Sequence, residues 1–353
     1  MSLYIQTVAH RGGKVSNYGM TRRLSFACGD YDRVRALRDG RVRPDGLDLI
    51  FLPLGPEEIF FRQLVHAEFD ASEMSLGSYV LGRGRAEPAP FVAIPVFPSR
   101  AFRHSSAYVH TGAGIDRPED LREKRIGVAE YQLTANVWLR GILEDDHGVR
   151  PSEIQWFTGG LEQPGRREKS AVRLPADVRV EAIGEGRTLS SMLERGEIDA
   201  LFTPRLPEPF VRGAPTVRRL FADHRRAEAE YYRRTRVFPI MHTVVIRRQV
   251  YERDPWIAQS LVKALAEAKR LCAASMYESA TLAYMLPWLV DDIEATRALM
   301  GPDIDRDWWP YGVEPNRATL ETFLRYASAQ GLVERPLTVD ELFAKETLDT
   351  FRI

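Results

Sequence analysis

Apolar and polar positions alternate along the first hundred residues in a pattern typical of successive strands and helices. Short apolar runs that predict strands are each followed by a stretch with helical spacing. Strands are predicted at 24–28, 47–52, 69–74 and 91–97, and helices at 32–39, at 56–66 and directly after Ser75. The order β-α-β-α-β-α-β indicates an α/β domain with a largely parallel sheet.

A second unit with the same alternation follows Pro98. Its strands are predicted at 107–110, 125–129, 178–183 and 198–202, and its helices at 117–121, 134–145 and 188–195. Residues 159–175 are rich in Gly, Pro, Arg and Glu, and a loop of this length in a compact domain is often functional. The apolar run 238–247 is expected to return to the first unit as a strand.

The rest of the chain has a helical pattern, with helices predicted at 256–279, 282–289, 291–300, 317–330 and 339–343. We therefore expect a hinged α/β protein of two lobes, joined by two crossing segments, with a helical tail packing back. Lobe one is predicted to comprise 20–98 and 245–353, lobe two 99–244, and residues 1–19 an N-terminal extension. Ligands of open α/β sheets bind at the carboxyl ends of strands, so a site is expected in the cleft between the lobes.

The overall charge argues against two classes of partner. The 353 residues carry 49 Lys and Arg against 49 Asp and Glu, whereas proteins that bind nucleic acid or anionic membranes usually have a basic excess. No apolar stretch approaches the ~20 residues of a membrane helix, and no signal peptide is visible, so we expect a cytoplasmic protein. A homo-oligomer is compatible with this composition.

Metals and nucleotide cofactors are not expected. Cys28 and Cys272 form neither a CxxC pair nor a zinc spacing, and no Asp, Glu and His cluster has metal-ligand spacing. The chain also lacks GxGxxG, GxxxxGK[ST], HExxH and GxSxG, which disfavours nicotinamide dehydrogenases, P-loop enzymes, zincins and α/β hydrolases. The candidate chemistry therefore rests on polar side chains at strand ends.

Two such positions lie in the first unit. Gly29–Arg33 follows the first strand and opens a helix, so its N–H groups and Arg33 suit an anion; the alternative is a helix cap with a solvated arginine. Glu73 ends the third strand, where a buried carboxylate is unusual. It suits an acid, a base or a partner for an arginine, and the alternative is a structural salt bridge.

The densest candidate lies where the chain leaves lobe one. Arg100 and Arg103 suit an anionic substrate, and His104 suits a proton shuttle; the alternative is a basic, solvated hinge. His242 lies in the apolar strand near the second crossing, and a core role and a catalytic role remain equally open for it.

Lobe two offers three further candidates. Tyr131 and Thr134 follow a predicted strand and open a helix, which makes them plausible ligand donors or parts of an ordinary helix start. Arg205 follows the strand at 198–202 and would add another cleft arginine. The segment 308–312 is expected to pack the helical tail.

Four segments together resemble the 4,5-dihydroxyphthalate decarboxylases: Leu24–Arg33, Pro95–His104, Phe238–His242 and Trp309–Gly312. The similarity extends from about Met20 to the C-terminus. It implies a type 2 periplasmic-binding-protein-like fold kept in the cytoplasm as an enzyme. It also implies non-oxidative decarboxylation of 4,5-dihydroxyphthalate, a small aromatic dicarboxylate, to 3,4-dihydroxybenzoate.

The chemistry of that substrate suggests roles for the candidates. Losing CO2 from a ring carbon leaves an aryl anion unless the carbon is protonated first, so a general acid is needed. We expect His104 or His242 to donate the proton and Glu73 to accept a hydrogen bond from a catechol hydroxyl.

The second carboxylate must be held in a fixed orientation, which arginine does with two parallel hydrogen bonds. We expect Arg100 and Arg103 to bind it, with Arg33 and Arg205 in reserve. Two other functions stay open: a solute-binding protein for an aromatic or dicarboxylic acid, and a lyase for another hydroxylated aromatic acid.

Overall fold

The computed structural model describes residues 21–168, 173–278, 280–281, 284–301 and 307–348. The N-terminal extension predicted at 1–19 lies outside them.

The described chain alternates strands and helices as far as residue 247 and is mostly helical afterwards. The strands are β1 Arg22–Cys28, β2 Leu47–Pro53, β3 Ala71–Ser75, β4 Phe91–Arg100, β5 Ala107–His110, β6 Arg125–Val128, β7 Gln155–Thr158, β8 Arg179–Ala182, β9 Ala200–Phe202, β10 Val217–Arg219 and β11 Ile240–Arg247. The helices are α1 Arg35–Arg38, α2 Pro56–His66, α3 Leu76–Arg83, α4 Thr134–His147, α5 Leu189–Glu194, α6 Glu208–Val211, α7 His224–Thr235, α8 Arg248–Arg253, α9 Trp256–Met276, α10 Leu289–Met300 and α11 Arg317–Ala329.

Lobe one is built on a five-stranded sheet in the order β2-β1-β3-β11-β4. Strands β1, β2 and β3 are parallel, and β11 pairs antiparallel with both β3 and β4. Because β11 runs in the opposite direction, its beginning lies at the same edge as the end of β3, where His242 pairs with Ser75. The predicted largely parallel sheet and the returning strand are confirmed.

Lobe two is built on a six-stranded sheet in the order β10-β5-β9-β6-β7-β8. Strands β9, β6, β7 and β8 are parallel, and β5 and β10 add an antiparallel edge. Sequence reasoning missed β7, β10, α6 and α7. Strands β4 and β11 carry the chain between the lobes, and both belong to the sheet of lobe one along their whole length. We therefore propose lobe boundaries at the ends of these strands, a few residues from those predicted.

One apolar core is shared by the two lobes. Residues Thr134 to Leu143 of α4 are all buried, because opposite faces of this helix pack against different sheets. Leu139 and Leu143 join the core of lobe two. On the other face, Trp138 packs against α11 of the tail and donates its indole N–H to the carbonyl of Ile240 in β11 at 2.9 Å.

Two predictions for the helical tail are wrong. The structure describes residues 284–289 of the helix predicted at 282–289; residues 284–288 are not helical, and α10 begins only at Leu289. The helix predicted at 339–343 is absent, because Phe343 forms a bridge with Ala93 beside β4 and Ala344 donates its N–H to the Ala93 carbonyl. Pairing with the sheet replaces the local helical preference there.

Candidate active site

A cavity of about 260 Å³ lies between the lobes, at the edge where β3 ends and β11 begins. Lobe one contributes Phe60, His242 and the first residues of α2 and α3, and lobe two contributes the first residues of α4. Three helices therefore begin at this cavity. Because backbone N–H groups and the positive end of the dipole lie at a helix N-terminus, the arrangement favours an anionic ligand.

A buried carboxylate organises the lobe-one wall of the cavity. Glu73 has no solvent exposure, and its Oε1 accepts hydrogen bonds from the Tyr31 hydroxyl at 2.7 Å and from His242 Nδ1 at 2.5 Å. Its Oε2 accepts the N–H of Gly29 at 2.9 Å, and the Cys28 Sγ lies 3.7 Å away. Burial by itself raises the pKa of Glu73, but attraction to His242 and these hydrogen bonds outweigh it and hold the pKa below its usual value.

His242 lines the cavity and is hydrogen-bonded to the Glu73 carboxylate behind it. Its side chain is 18% exposed, and its ring packs edge-on against Phe60, with 4.9 Å between ring centroids. Since Nδ1 is bonded to Glu73, Nε2 is the ring nitrogen left for a ligand. The arrangement can hold a proton on Nε2 and deliver it to a molecule in the cavity.

The two arginines predicted to bind a carboxylate occupy different places. Arg103 lines the cavity; its Nε donates to the sulfur of Met241, and no described carboxylate lies within ion-pair distance. Burial lowers the pKa of Arg103 to about 10, so it stays charged at neutral pH. Arg100 lies outside the cavity, where its guanidinium donates to Asn316 and to the Phe238 carbonyl, both at 2.7 Å. It ties β4 and the start of β11 to the C-terminal segment.

His104 does not reach the cavity. It is 2% exposed and its ring packs against Phe221 and Tyr231. Burial lowers the pKa of His104 to about 4, and the neighbouring charges of His147 and Arg234 add to the effect. The ring is therefore neutral at physiological pH and belongs to the packing between β5 and α7.

Arg33 lies beside a different cavity, of about 450 Å³, together with α9 and Trp309. Its guanidinium stacks between the rings of Tyr31 and Trp309 at 4.3 and 4.5 Å and donates to the Pro98 carbonyl. It supports Tyr31, which in turn bonds Glu73. Trp309 donates its indole N–H to Phe97, which agrees with the packing role predicted for the 308–312 segment.

The predicted lobe-two residues also separate. Thr134 lines the cavity and joins the lobes: its Oγ1 accepts the N–H of Gly77 at 2.9 Å and shares a hydrogen bond of 2.8 Å with the Ser75 hydroxyl. Tyr131 is turned into the core of lobe two, where Arg140 stacks on its ring at 3.7 Å. Arg205 lies at the rim, with 66% of its side chain exposed and an ion pair of 3.3 Å to Glu57.

Three cavity residues were missed as individual candidates. Glu130 and Gln132 stand in the strand-end segment that pointed to Tyr131 and Thr134, and Arg166 stands in the loop at 159–175. Arg166 donates to the buried Glu130 at 2.6 Å and to Glu57 across the cleft at 3.2 Å. Position at a strand end drew attention to the segment of Glu130 and Gln132, and loop length drew attention to the segment of Arg166. No sequence motif distinguished these three residues from their neighbours.

No metal cluster is found in the described part of the chain: no three His, Cys, Asp or Glu side chains are grouped so as to hold an ion. Among the described helices, none has the length and apolar character needed to cross a bilayer.

The fold and the inter-lobe cavity define a protein of the type 2 periplasmic-binding-protein-like class. The alkanesulfonate-binding protein SsuA of Xanthomonas axonopodis has a TM-score of 0.50 and 12% identity, covering 92% of this chain and 99% of that one. The desulfurization enzyme DszB has a TM-score of 0.50 and 15% identity, covering 93% and 97%. At such identities the likeness shows the fold alone.

Sequence relatives define the family within that class. The chain is 46% identical over 330 residues to the 4,5-dihydroxyphthalate decarboxylase of Comamonas testosteroni, covering 94% of this chain and 98% of that protein. It is 51% identical over 210 residues to the enzyme of the same name from Pseudomonas putida, covering 60% and 81%. No protein-family model matches the chain. The chain belongs to the 4,5-dihydroxyphthalate decarboxylase family, as the sequence resemblance implied.

Proposed function

We propose that this protein is a carboxy-lyase that converts 4,5-dihydroxyphthalate to 3,4-dihydroxybenzoate and CO2. The observation that carries the proposal is the Glu73–His242 pair at the wall of a small cavity on which three helix N-termini converge. Such a cavity suits an aromatic dianion, and the pair supplies the acid that the reaction needs. The similarity to two enzymes of that name, one of them along 94% of this chain, supports the choice of substrate.

The reaction replaces one carboxylate by a proton. His242 Nε2 donates its proton to the ring carbon that bears the departing carboxylate, while the hydroxyl para to it releases its own proton to solvent water and pushes an electron pair into the ring. The carbon–carboxylate bond then breaks, its electron pair restores the aromatic ring, and CO2 leaves. The hydroxyl oxygen regains a proton, and one proton from solvent, taken up by His242, completes the turnover.

Glu73 acts in this scheme as a positioning residue. Both of its oxygens already accept hydrogen bonds within lobe one, and it is not among the cavity-lining residues. We therefore assign it to holding Nδ1 of His242, which fixes the orientation of the ring, rather than to receiving a catechol hydroxyl. Arg103, which forms no ion pair among the described residues although the charge of Glu228 acts on it, is assigned to the substrate carboxylate that is retained.

The test compares the two histidines that the sequence left open. Purified wild type, His242→Asn and His104→Asn are incubated with 4,5-dihydroxyphthalate, and 3,4-dihydroxybenzoate is followed with and without EDTA. His242→Asn is expected to lose about 10²- to 10⁴-fold in kcat, the usual contribution of a general acid. His104→Asn, the matched control, is expected to keep most of its kcat even if it is less stable.

Three outcomes would contradict parts of the proposal. Saturable binding without turnover by the wild type would favour a solute-binding protein or a lyase for another hydroxylated acid. Unchanged kcat in His242→Asn would place the proton donor elsewhere. Loss of turnover in EDTA would assign part of the activation to a metal ion.

We also propose a cytoplasmic location. Cys28 and Cys272 are buried free thiols, and burial raises the pKa of both. A reducing compartment keeps such thiols in this state.

We also propose that the protein forms a homo-oligomer. The exposed apolar side chains of Met285, Leu286 and Trp288 support this proposal. Light scattering on the purified protein tests it.

A further inference from the structure

Gln132 is a buried cavity residue whose hydrogen-bonding capacity is only half used. The residue is 2% exposed and lines the cavity between β6 and α4. Its Nε2 donates to Glu130 at 3.5 Å, whereas its Oε1 has no hydrogen-bond partner. An unpaired buried acceptor destabilises a protein, so its presence beside a cavity calls for a ligand that donates to it.

The neighbours of Gln132 fix which end of the amide is free. Glu130 is held by Arg166 at 2.6 Å, and its carboxylate can only accept. The NH2 end of Gln132 therefore faces Glu130, and the opposite orientation would set two acceptors against each other. The carboxylate also polarises the amide, which makes Oε1 a stronger acceptor.

The main chain of Gln132 is fixed as well. A Cβ placed on Gly77 would meet the carbonyl oxygen of Gln132 at 3.0 Å, so α3 of lobe one lies directly against this residue. Thr134, two residues later, is hydrogen-bonded to Gly77 and Ser75. Contacts with both lobes therefore fix the backbone that carries the amide. A fixed backbone suits a side chain that must recognise one substituent of a ligand.

We infer that Gln132 determines specificity for hydroxylated rings by accepting, at Oε1, the hydrogen bond of a ring hydroxyl of the substrate. The inference rests on the proposed function. The substrate's carboxylates carry no proton at neutral pH, so its two hydroxyls are the donors it can offer to an acceptor. A site that pairs a buried acceptor with a substrate hydroxyl discriminates strongly against analogues that lack it, because the acceptor is then left unpaired.

The experiment measures two ligands of similar shape on matched variants. The kcat/KM for 4,5-dihydroxyphthalate and the competitive inhibition constant of 4,5-dichlorophthalate, which has no hydroxyl, are determined for wild type and Gln132→Met. Methionine keeps the length of the side chain and removes the acceptor. We expect kcat/KM to fall about tenfold to a hundredfold and the inhibition constant of the dichloro compound to stay within about twofold or to improve, since no acceptor is then left unpaired.

A second buried glutamine serves as the control. Gln63 lies away from the cavity and has both amide ends bonded, donating to the Phe69 carbonyl at 3.1 Å and accepting the Phe69 N–H at 2.9 Å. Gln63→Met is expected to lower the melting temperature and to leave the ratio of the two constants unchanged. Gln132→Met is expected to melt close to the wild type, because it removes an unsatisfied acceptor.

The outcomes separate this inference from the proposed function. Equal weakening of both ligands by Gln132→Met, or an unchanged kcat/KM, overturns the specificity role while a wild type that turns over 4,5-dihydroxyphthalate keeps the proposed function. A wild type without turnover overturns the proposed function and the inference together.

Discussion

At the scale of single residues, burial separates side chains that the sequence could not tell apart. His104 and His242 both stand near a crossing strand, yet one is enclosed by rings and the other faces a cavity with Glu73 behind it. The same holds for Arg100 and Arg103, three positions apart. Sequence reasoning marked several segments that contribute side chains to the cavity, but which way each side chain points depends on tertiary packing, which residue spacing alone does not encode.

The same substitution at Arg100 and at Arg103 is expected to have different effects, because only Arg103 lines the cavity. Arg103→Lys is expected to raise KM for 4,5-dihydroxyphthalate about tenfold to a hundredfold with a smaller change in kcat, because lysine cannot form the paired hydrogen bonds to a carboxylate. Arg100→Lys is expected to lower the melting temperature and leave KM near the wild-type value, since its partners are Asn316 and the Phe238 carbonyl. Steady-state kinetics and thermal unfolding check both; the opposite pattern would exchange the two roles.

His104 makes stability depend on pH. Its pKa is about 4 in the folded protein, because burial favours the neutral ring, against about 6.5 when unfolded. Between these values the unfolded chain binds more protons, so the free energy of unfolding falls as the pH drops from 6.5 to 4, by up to roughly 3 kcal/mol. His104→Leu is expected to remove this part of the slope in denaturant unfolding at several pH values.

The control for this measurement is His66→Gln, at an exposed position of α2, which is expected to keep the wild-type slope. A His104→Leu variant whose slope equals that of the wild type would show that the ring is not what titrates.

At the scale of secondary-structure elements, local pattern predicted most of the α/β region. Helix α2 has the predicted bounds, because Pro56 begins it and the backbone turns left-handed after His66. The tail was predicted less well, because Phe343 gains more from pairing beside β4 than from a helical turn. Short edge strands such as β10 carry too few residues to show a period.

The contact between α3 and α4 gives a prediction at this scale. Gly77→Ala improves helix propensity by about 1 kcal/mol, yet its Cβ would meet the Gln132 carbonyl and Thr134 Oγ1, both at 3.0 Å. We expect kcat/KM to fall at least about tenfold because the start of α4 must shift at the cavity. Gly55→Ala, at the start of α2 with no atom within 4 Å of the new Cβ, is expected to keep its activity. Equal effects of both substitutions would contradict the role of the close contact.

At the scale of the whole molecule, the sequence predicted two lobes with a cleft between them, and the structure has two sheets with a cavity lined from both sides. The sequence did not predict how the lobes are joined. Thr134, Asn136 and Arg140 are polar residues at buried positions of α4, so the packing of this helix on two faces became visible only with its neighbours in place. Besides the hinge expected between the lobes, the buried face of α4 around Trp138 forms an apolar joint between them.

This apolar joint limits which changes of sequence can give the protein a new substrate. Trp138 belongs to α4 of lobe two, yet Phe323 and Tyr326 of the tail cover its ring. Its indole N–H donates a hydrogen bond to β11. Dividing the chain at the crossing strands would leave this indole and its covering rings in water, so neither half is a transferable module. New substrates are therefore accessible by exchanging single side chains on the cavity wall, whereas recombining whole lobes from different relatives would require matching tails as well.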